Sequence, residues 1–315
     1  MTEVATGSCT VVERLGVRLS GPADGPDPRV LLGLALRNNP RRAQLLVSRV
    51  LGKHIPTDPR LVRAAGLLLG GLVADALAGR QPRALPVALL HAAVRGEPGA
   101  AAALLSAVTV SPTDAVVLGF AETATALGHS VAEALGGAYY LHSTRRPVPE
   151  FATAGAFTEE HSHHTEHLLL PSDPGMVAGP RPLVLVDDEL STGRTVVNTI
   201  AALHRVAPRE RYVVAALVDL REHPLTGLPD GVRVDVVSLI RAALTLPDDL
   251  AERAIALRAE LRDPADFATD VTAPAATPRV TPAAPPAGVP SSRVALADLG
   301  WPAGLPAGGR HGFTA

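Results

Sequence analysis

The stretch LVLVDDELSTGRTVVNTI, residues 183–200, decides how the rest of the chain is read. Four apolar residues, Leu183 to Val186, run into two adjacent carboxylates, Asp187 and Asp188, and then Ser191, Thr192, Gly193, Arg194 and Thr195 crowd a turn before a helical pattern begins. A short apolar run, a polar turn containing glycine and an amphipathic segment predict a strand, loop and helix. In an open α/β sheet, ligands bind outside the carboxyl ends of the strands, where loops meet helix N-termini. The first N–H groups of the helix have no partners within it and its dipole is positive there, so this turn suits a phosphate. Gly193 lets the backbone approach the anion, and the Ser191, Thr192 and Thr195 hydroxyls add donors. Acids immediately upstream would repel a phosphate alone. They fit a ligand that carries hydroxyls beside its phosphate, such as a ribose phosphate with a bound divalent cation.

Other phosphate-binding patterns fail on particular residues. A P-loop needs G-x-x-x-x-G-K-[ST], and a dinucleotide fold needs G-x-G-x-x-G after the strand; neither spacing is present. A phosphorylation receiver also opens on acidic residues but needs a lysine further downstream. Of 29 basic residues only Lys53 is a lysine, and it lies upstream.

Composition sets outer limits. With 315 residues, 47% of them hydrophobic, the chain can build one large domain or two small ones. A formal net charge of −2 and 3% aromatic residues give neither a general attraction for nucleic acid nor platforms for stacking bases. Cys9 is the only cysteine, which excludes an intramolecular disulfide framework and a thiolate zinc site and fits a reducing cytoplasm. The N-terminus has no basic segment followed by an apolar one, and RAAGLLLGGLVADALAG, residues 63–79, is too short and glycine-rich for a membrane span. It is read as a buried helix.

Residues 1–112 are read as a mainly helical lobe, with VVERLGVRLS (11–20) as a strand and PRRAQLLVSRVLGKHIP (40–56) as a helical pattern. From Asp114 short apolar runs alternate with helices: DAVVLGF, then AETATALGHSVAEALGG, AYYLHSTR, EHLLLP, the 183–200 stretch, RYVVAALVDL and VRVDVVSLI. Such alternation predicts a mostly parallel sheet with helices on both faces, an α/β core over 113–262 that ends in the helix LPDDLAERAIALRAELR. AYYLHSTR and EHLLLP, with the polar stretch between them, are read as the two arms of a hairpin. Residues 263–290 are rich in Pro, Ala and Thr and cannot bury enough apolar surface to offset their ordering entropy, so a disordered linker is expected before a short C-terminal remnant over 291–315.

With these residues in view, VLVDDELSTGRT resembles the phosphoribosyl pyrophosphate (PRPP) signature of type I phosphoribosyltransferases. More narrowly, LGKHIP (51–56), HSTRRPVPEF (142–151), EEHSHHTEH (159–167) and VDDELSTGRT (186–195) together resemble the orotate phosphoribosyltransferase-like family of bacterial tellurium-resistance and stress gene clusters. Members often carry a C-terminal TRSP domain, and the 291–315 segment is expected to be at most a remnant of it. The resemblance spans residues 15–245 and implies a type I phosphoribosyltransferase-like sheet with a helical N-terminal hood.

The same resemblance implies roles. Asp187 and Asp188 would meet the ribose hydroxyls, directly or through Mg²⁺, with Glu189 and Leu190 leading into Ser191, Thr192, Gly193, Arg194 and Thr195 around the 5-phosphate. Glu122, Thr123, Ala124 and Thr125 would form the pyrophosphate loop, unless they are an ordinary loop. Arg145 and Arg146 would supply charge to pyrophosphate, since arginine suits bidentate phosphate contacts, or else stand solvated at a strand end. The segment holding Glu159, Glu160, His161 and His163 falls where similar enzymes carry a mobile lid; a metal site that includes His164, Glu166 and His167, or plain solvated polarity, are its other readings. Lys53 stands where arginine is used everywhere else, through a need for an ammonium or by chance.

The implied activity is Mg²⁺-dependent transfer of 5-phosphoribosyl from PRPP to an unidentified nitrogenous base, in a cytoplasmic homodimer that binds neither nucleic acid nor membrane. A PRPP or nucleotide sensor without catalysis, and a stress-complex scaffold, are the alternatives.

Overall fold

The structure is a computed structural model that describes residues 11–37, 44–148, 151–158 and 166–260. The chain divides into two units, Met1–Arg262 and Asp263–Ala315, and the second, with the expected linker and remnant, lies outside the described residues.

Along the first unit, α1 (Val11–Arg14), β1 (Arg18–Ser20) and α2 (Pro28–Leu31) precede the strands β2 (Leu32–Leu36) and β3 (Gln44–Ser48). Three helices come next, α3 (Pro59–Leu77), α4 (Val87–Val94) and α5 (Ala100–Ser106). Then come β4 (Val116–Gly119), α6 (Thr125–Ala134), β5 (Tyr139–His142), β6 (Gly155–Thr158), β7 (Glu166–Leu169) and α7 (Pro174–Ala178). The last elements are β8 (Leu183–Leu190), α8 (Arg194–Val206), β9 (Arg211–Asp219), β10 (Arg233–Arg241), β11 (Ala243–Thr245) and α9 (Leu250–Glu260).

Five strands form one parallel sheet in the order β10-β9-β8-β4-β5, the α/β core expected from the alternation of apolar runs and helices. Successive residues of its strands enter opposite cores, as the two-residue period of a strand requires. Val117, Val184, Val186, Val213 and Ala215 join Leu69 and Val73 of α3 and Val131 of α6 on one face. Val116, Leu118, Leu183, Leu185 and Val214 join Val196 and Ile200 of α8 and Phe157 of β6 on the other. Burial on both faces is why these strands read as continuous apolar runs.

α3 begins at Asp58, whose carboxylate accepts the Arg60 N–H at 2.9 Å, with Pro59 in the first turn. Its glycines serve packing. A Cβ on Gly66 would lie 2.5 Å from the Ser130 Cβ, and one on Gly70 would lie 2.4 Å from the Ala134 Cβ, so only glycine lets α3 approach α6 this closely. No helix among the described residues is long and apolar enough to cross a membrane.

Three local expectations are corrected. VVERLGVRLS is a helical turn, α1, closed by Gly16 at φ +68°, and only Arg18–Ser20 is extended, paired with β11. Gln44–Ser48 is a strand, not a helix, because its antiparallel partner β2 is supplied by LLGLAL and cross-strand packing outweighs local propensity. EHLLLP pairs with residues 155–158 and not with AYYLHSTR as a whole; β5 belongs to the parallel sheet, and Thr144, two residues past its end, forms an isolated bridge with Leu168 of β7.

The α3–α6 contact gives a test. Valine has a modestly better helix propensity than glycine, by a few tenths of a kcal/mol, whereas forcing atoms into a packed contact costs about 1–3 kcal/mol. Gly70→Val is therefore expected to lower the urea midpoint, and an unchanged midpoint would show that the helices can separate without cost.

Candidate functional site

Four strands reach the carboxyl edge of the sheet in one register. Gly119 of β4 pairs with His142 of β5 and with Val186 of β8, and Val186 pairs with Ala215 of β9. The segments that continue from β4, β5 and this level of β8 emerge side by side: the loop 120–124, then Ser143 to Arg146, then Asp187 and Asp188. β8 runs on to Leu190 alongside β9 after β4 has turned away, so the two acids lie within the strand, over the place where the β4 loop departs. Asp187 is half-buried and its carboxylate accepts the Asp188 N–H at 2.8 Å. Asp188 pairs with the Lys53 ammonium at 3.2 Å. The lone lysine, its purpose open from sequence, comes from the segment between β3 and α3 and reaches 135 positions along the chain to an acid of the opening motif. His54 beside it is held down from the usual imidazole range, by burial first and then by the Lys53 charge. Its Nδ1 is buried with no hydrogen-bond partner among the described residues.

The turn after β8 is built around Gly193. Its φ is +78°, and a Cβ there would meet Leu225 at 2.3 Å, so both conformation and space demand glycine. Ser191, Thr192 and Arg194 are exposed, Thr195 is half-buried and Leu190 is buried in the core. The Thr192 hydroxyl accepts the Arg194 N–H at 3.3 Å, and α8 has no side-chain N-cap. A cavity of about 620 Å³ opens beside this turn, between Ser191, Thr192 and Glu189, the β2–β3 strands at Leu34 and Leu46, and Arg221. Arg221 is fixed from beneath by Asp219, which it contacts with Nε at 2.9 Å and a terminal nitrogen at 2.8 Å. Burial by itself raises the Asp219 carboxyl; the hydrogen bonds from Arg221 and the charges of Arg221 and Arg241 outweigh it, and the net direction is down.

The loop after β4 carries Glu122 exposed, Thr123 half-buried and Ala124 buried, and Thr125 opens α6. The Ala121–Glu122 peptide is cis. Tyr140 on β5 donates its hydroxyl to the Thr125 carbonyl and anchors this end of α6; burial pushes that phenol up to about 12. Arg145 stands 3.9 Å from the Glu122 carboxylate and donates Nε–H to His167 at 3.3 Å. Arg146 is exposed, its backbone N–H bonded to the Thr144 hydroxyl. Thus the structure brings Arg145 to the 120–124 loop and leaves Arg146 at the surface.

Glu159, Glu160, His161 and His163 lie outside the described residues. His167, from the same EEHSHHTEH motif, is fully buried in β7 and stacked on Phe157 at 5.0 Å. Among the described residues no group of three or more His, Cys, Asp or Glu could hold a metal ion. Sequence reasoning passed over Ser143 and Arg221, since a serine after a strand and one arginine among many carry no local signal.

A profile of the family described as "Phosphoribosyl transferase" matches residues 31–243, which takes in every element from β2 to β10 and both of the motif's neighbouring strands. The chain belongs to the phosphoribosyl transferase family. It is a phosphoribosyltransferase by that membership, on the parallel sheet described above. Solved adenine phosphoribosyltransferases are similar to it at low identity. That of Rhodothermus marinus is 17% identical, with 68% of this chain and 95% of that chain covered at a TM-score of 0.39. That of Giardia lamblia, complexed with 9-deazaadenine, is 17% identical over 68% and 96%, at a TM-score of 0.37. That of Trypanosoma brucei, in complex with AMP, pyrophosphate and ribose-5-phosphate, is 14% identical over 73% and 78%, also at 0.37. No curated protein matches the chain.

Two charge pairs of this phosphoribosyltransferase differ in what they contribute. Lys53 and Asp188 are 37% and 23% exposed, so Lys53→Met is expected to cost no more than about 1 kcal/mol in chemical denaturation. Asp219 and Arg221 are 5% and 10% exposed, and Asp219→Asn is expected to cost on the order of 1–3 kcal/mol at pH 7. A carboxyl held low contributes stability above its unfolded pKa and loses it as pH falls through the folded value. The gap between wild type and Asp219→Asn should therefore narrow below the ordinary carboxylate value of 3.8, as denaturation midpoints at descending pH would show.

Proposed function

We propose that this phosphoribosyltransferase moves the 5-phosphoribosyl group of PRPP to a nitrogenous base with Mg²⁺ bound. The observation that carries the reading is the single register of β8, β4 and β5, which delivers two carboxylates, a loop at a helix N-terminus and Arg145 to one edge. PRPP has three parts of matching chemistry: a ribose with two hydroxyls, a 5-phosphate and a pyrophosphate. Asp187 and Asp188 take the ribose hydroxyls. Ser191, Thr192, Gly193, Arg194 and Thr195 take the 5-phosphate through backbone N–H groups, hydroxyls and the dipole of α8. Residues 122–125 and Arg145 take the pyrophosphate, with Arg146 able to add charge from the surface.

The reaction breaks the bond from ribose C1 to a pyrophosphate oxygen and forms one from C1 to a base nitrogen, which gives up its proton. The proposed transition state carries positive charge on the ribose, so positioning and neutralisation of the leaving group account for most of the acceleration, and no side-chain nucleophile is needed. Magnesium is commonly held by one or two carboxylates together with substrate oxygens. Asp187 and Asp188 offer that donor set. When bound, the ion supplies further charge neutralisation at the pyrophosphate. Lys53 pairs with Asp188 and would have to yield it, or share it, with an entering ligand. The base is proposed to enter the cavity beside Thr192 and beneath the β2–β3 strands. On the same reading the product is a nucleotide-like metabolite of a stress response, the setting of the family that the motifs resemble.

Calorimetric titration of PRPP with Mg²⁺ tests this. The wild type is expected to bind, the Asp187→Asn/Asp188→Asn variant to bind at least about tenfold more weakly, and addition of an accepted base to release pyrophosphate. Binding without release for any base would leave a sensor, and no binding in either protein would overturn the assignment of the site.

A further inference from the structure

A buried polar chain links β7 to the proposed pyrophosphate half of the site. The Thr144–Leu168 bridge, with N–H to carbonyl distances of 2.9 and 2.7 Å in the two directions, brings β7 against the end of β5 and places His167 beside Ser143. Both side chains are fully buried. The Ser143 hydroxyl oxygen accepts the Ala121 N–H at 2.9 Å and lies 3.0 Å from His167 Nδ1. On the other side of the ring, Arg145 Nε lies 3.3 Å from His167 Nε2. Arginine nitrogens only donate, so Nε2 is the acceptor and carries no proton; the ring proton is then on Nδ1, which donates to Ser143. One imidazole therefore has a fixed tautomer with each nitrogen committed, and the stack on Phe157 at 5.0 Å sets its plane.

We propose that His167 is a positioning residue of the phosphoribosyl transfer, holding Arg145 through Nε2 and the 121–125 loop through Nδ1 and Ser143, so that both face the pyrophosphate together. The proposal rests on the assignment of Arg145 and that loop to pyrophosphate. Its physical basis is the cost of ordering. An arginine side chain has four rotatable bonds and loses considerable entropy when fixed; a buried acceptor at Nε fixes the plane before any anion arrives, which leaves less to be ordered on binding. Phosphate recognition by a planar, forked cation is sensitive to that orientation. Ser143 does the same for the loop by occupying the Ala121 N–H. Because one ring carries both contacts, neither half can shift without disturbing the other. The arrangement also assigns a use to the last histidine of EEHSHHTEH that is separate from any lid or metal.

The test uses the full chain and two probes that report on different halves of the site. Inorganic pyrophosphate with Mg²⁺ and ribose 5-phosphate are titrated separately into wild type, Arg145→Gln, His167→Phe, His167→Gln and His167→Asn. Phenylalanine keeps the stack on Phe157 and removes both polar contacts. Glutamine keeps an acceptor near the position of Nε2, and asparagine keeps a polar group only near Nδ1. The expected result is a loss of about tenfold or more in pyrophosphate affinity for His167→Phe, the size of a lost hydrogen bond to a charged group. Ribose 5-phosphate affinity should be unchanged, with partial recovery of pyrophosphate binding in His167→Gln and less in His167→Asn. Equal losses for both probes, or pyrophosphate binding retained in a folded His167→Phe while Arg145→Gln loses it, would overturn the positioning role alone. Wild type that binds ribose 5-phosphate but no pyrophosphate would overturn the pyrophosphate assignment and the role of His167 with it.

Discussion

Gly119 pairs with strands on both sides, His142 of β5 and Val186 of β8, and the chemistry at the edge of the sheet depends on that register. A parallel sheet buried on both faces has no freedom to slide: a shift of one residue would exchange every side chain between the two cores. Val184 and Val186 belong to the α3–α6 core, while Leu183 and Leu185 belong to the α8 core, so packing alone pins β8 against β4. Once pinned, the strands release Phe120, Ser143 and Asp187 at one level, and three groups distant in sequence become neighbours. The hydrophobic contacts thus locate the polar ones. Gly119 also has no room for a side chain, since a Cβ would lie 2.7 Å from the Ala124 carbonyl, which ties the tight loop above β4 to the same residue that holds the register.

Much of this is legible from composition and pattern. The four apolar residues before Asp187 and the glycine at position 193 state a strand-to-helix turn, because each feature is local: two-residue periodicity and positive φ act within a few residues. VVLG and RYVVAALVDL announce strands for the same reason. Gln44–Ser48 reads as helix because its partner β2 lies beyond the segment itself, and nothing within LLVSRV states that a hairpin will form. Lys53 shows only that it is unusual; its pairing with Asp188 is fixed by how the segment before α3 crosses the sheet edge, a matter of tertiary path. His167 looks like one member of a polar histidine run, yet β7 carries it into the interior against Phe157. Periodicity hints at this, since His167 and Leu169 fall on one face of a strand, but alternation over four residues is too short to decide.

The polar contacts at the edge fall into two kinds, and their exposure separates them. Arg221 against Asp219 is nearly buried, and His167 is fully buried between Ser143 and a half-buried Arg145. In a low-dielectric setting such contacts are costly to break one at a time, so they hold their geometry whether or not a ligand is present. Lys53 and Asp188 are partly exposed, and a pair of that kind contributes at most about 1 kcal/mol. A ligand bearing hydroxyls and a divalent ion can displace a contact that weak with a small fraction of its binding free energy. On the proposed reading, the buried contacts are the ones that would orient the anions, and Asp188, the acid that would accept a new partner, is paired with an exchangeable neighbour in Lys53. An arginine at position 53 could grip a carboxylate with two parallel bonds, whereas lysine offers a single, strongly hydrated charge. That difference gives a physical reason for one lysine in a chain that otherwise uses arginine.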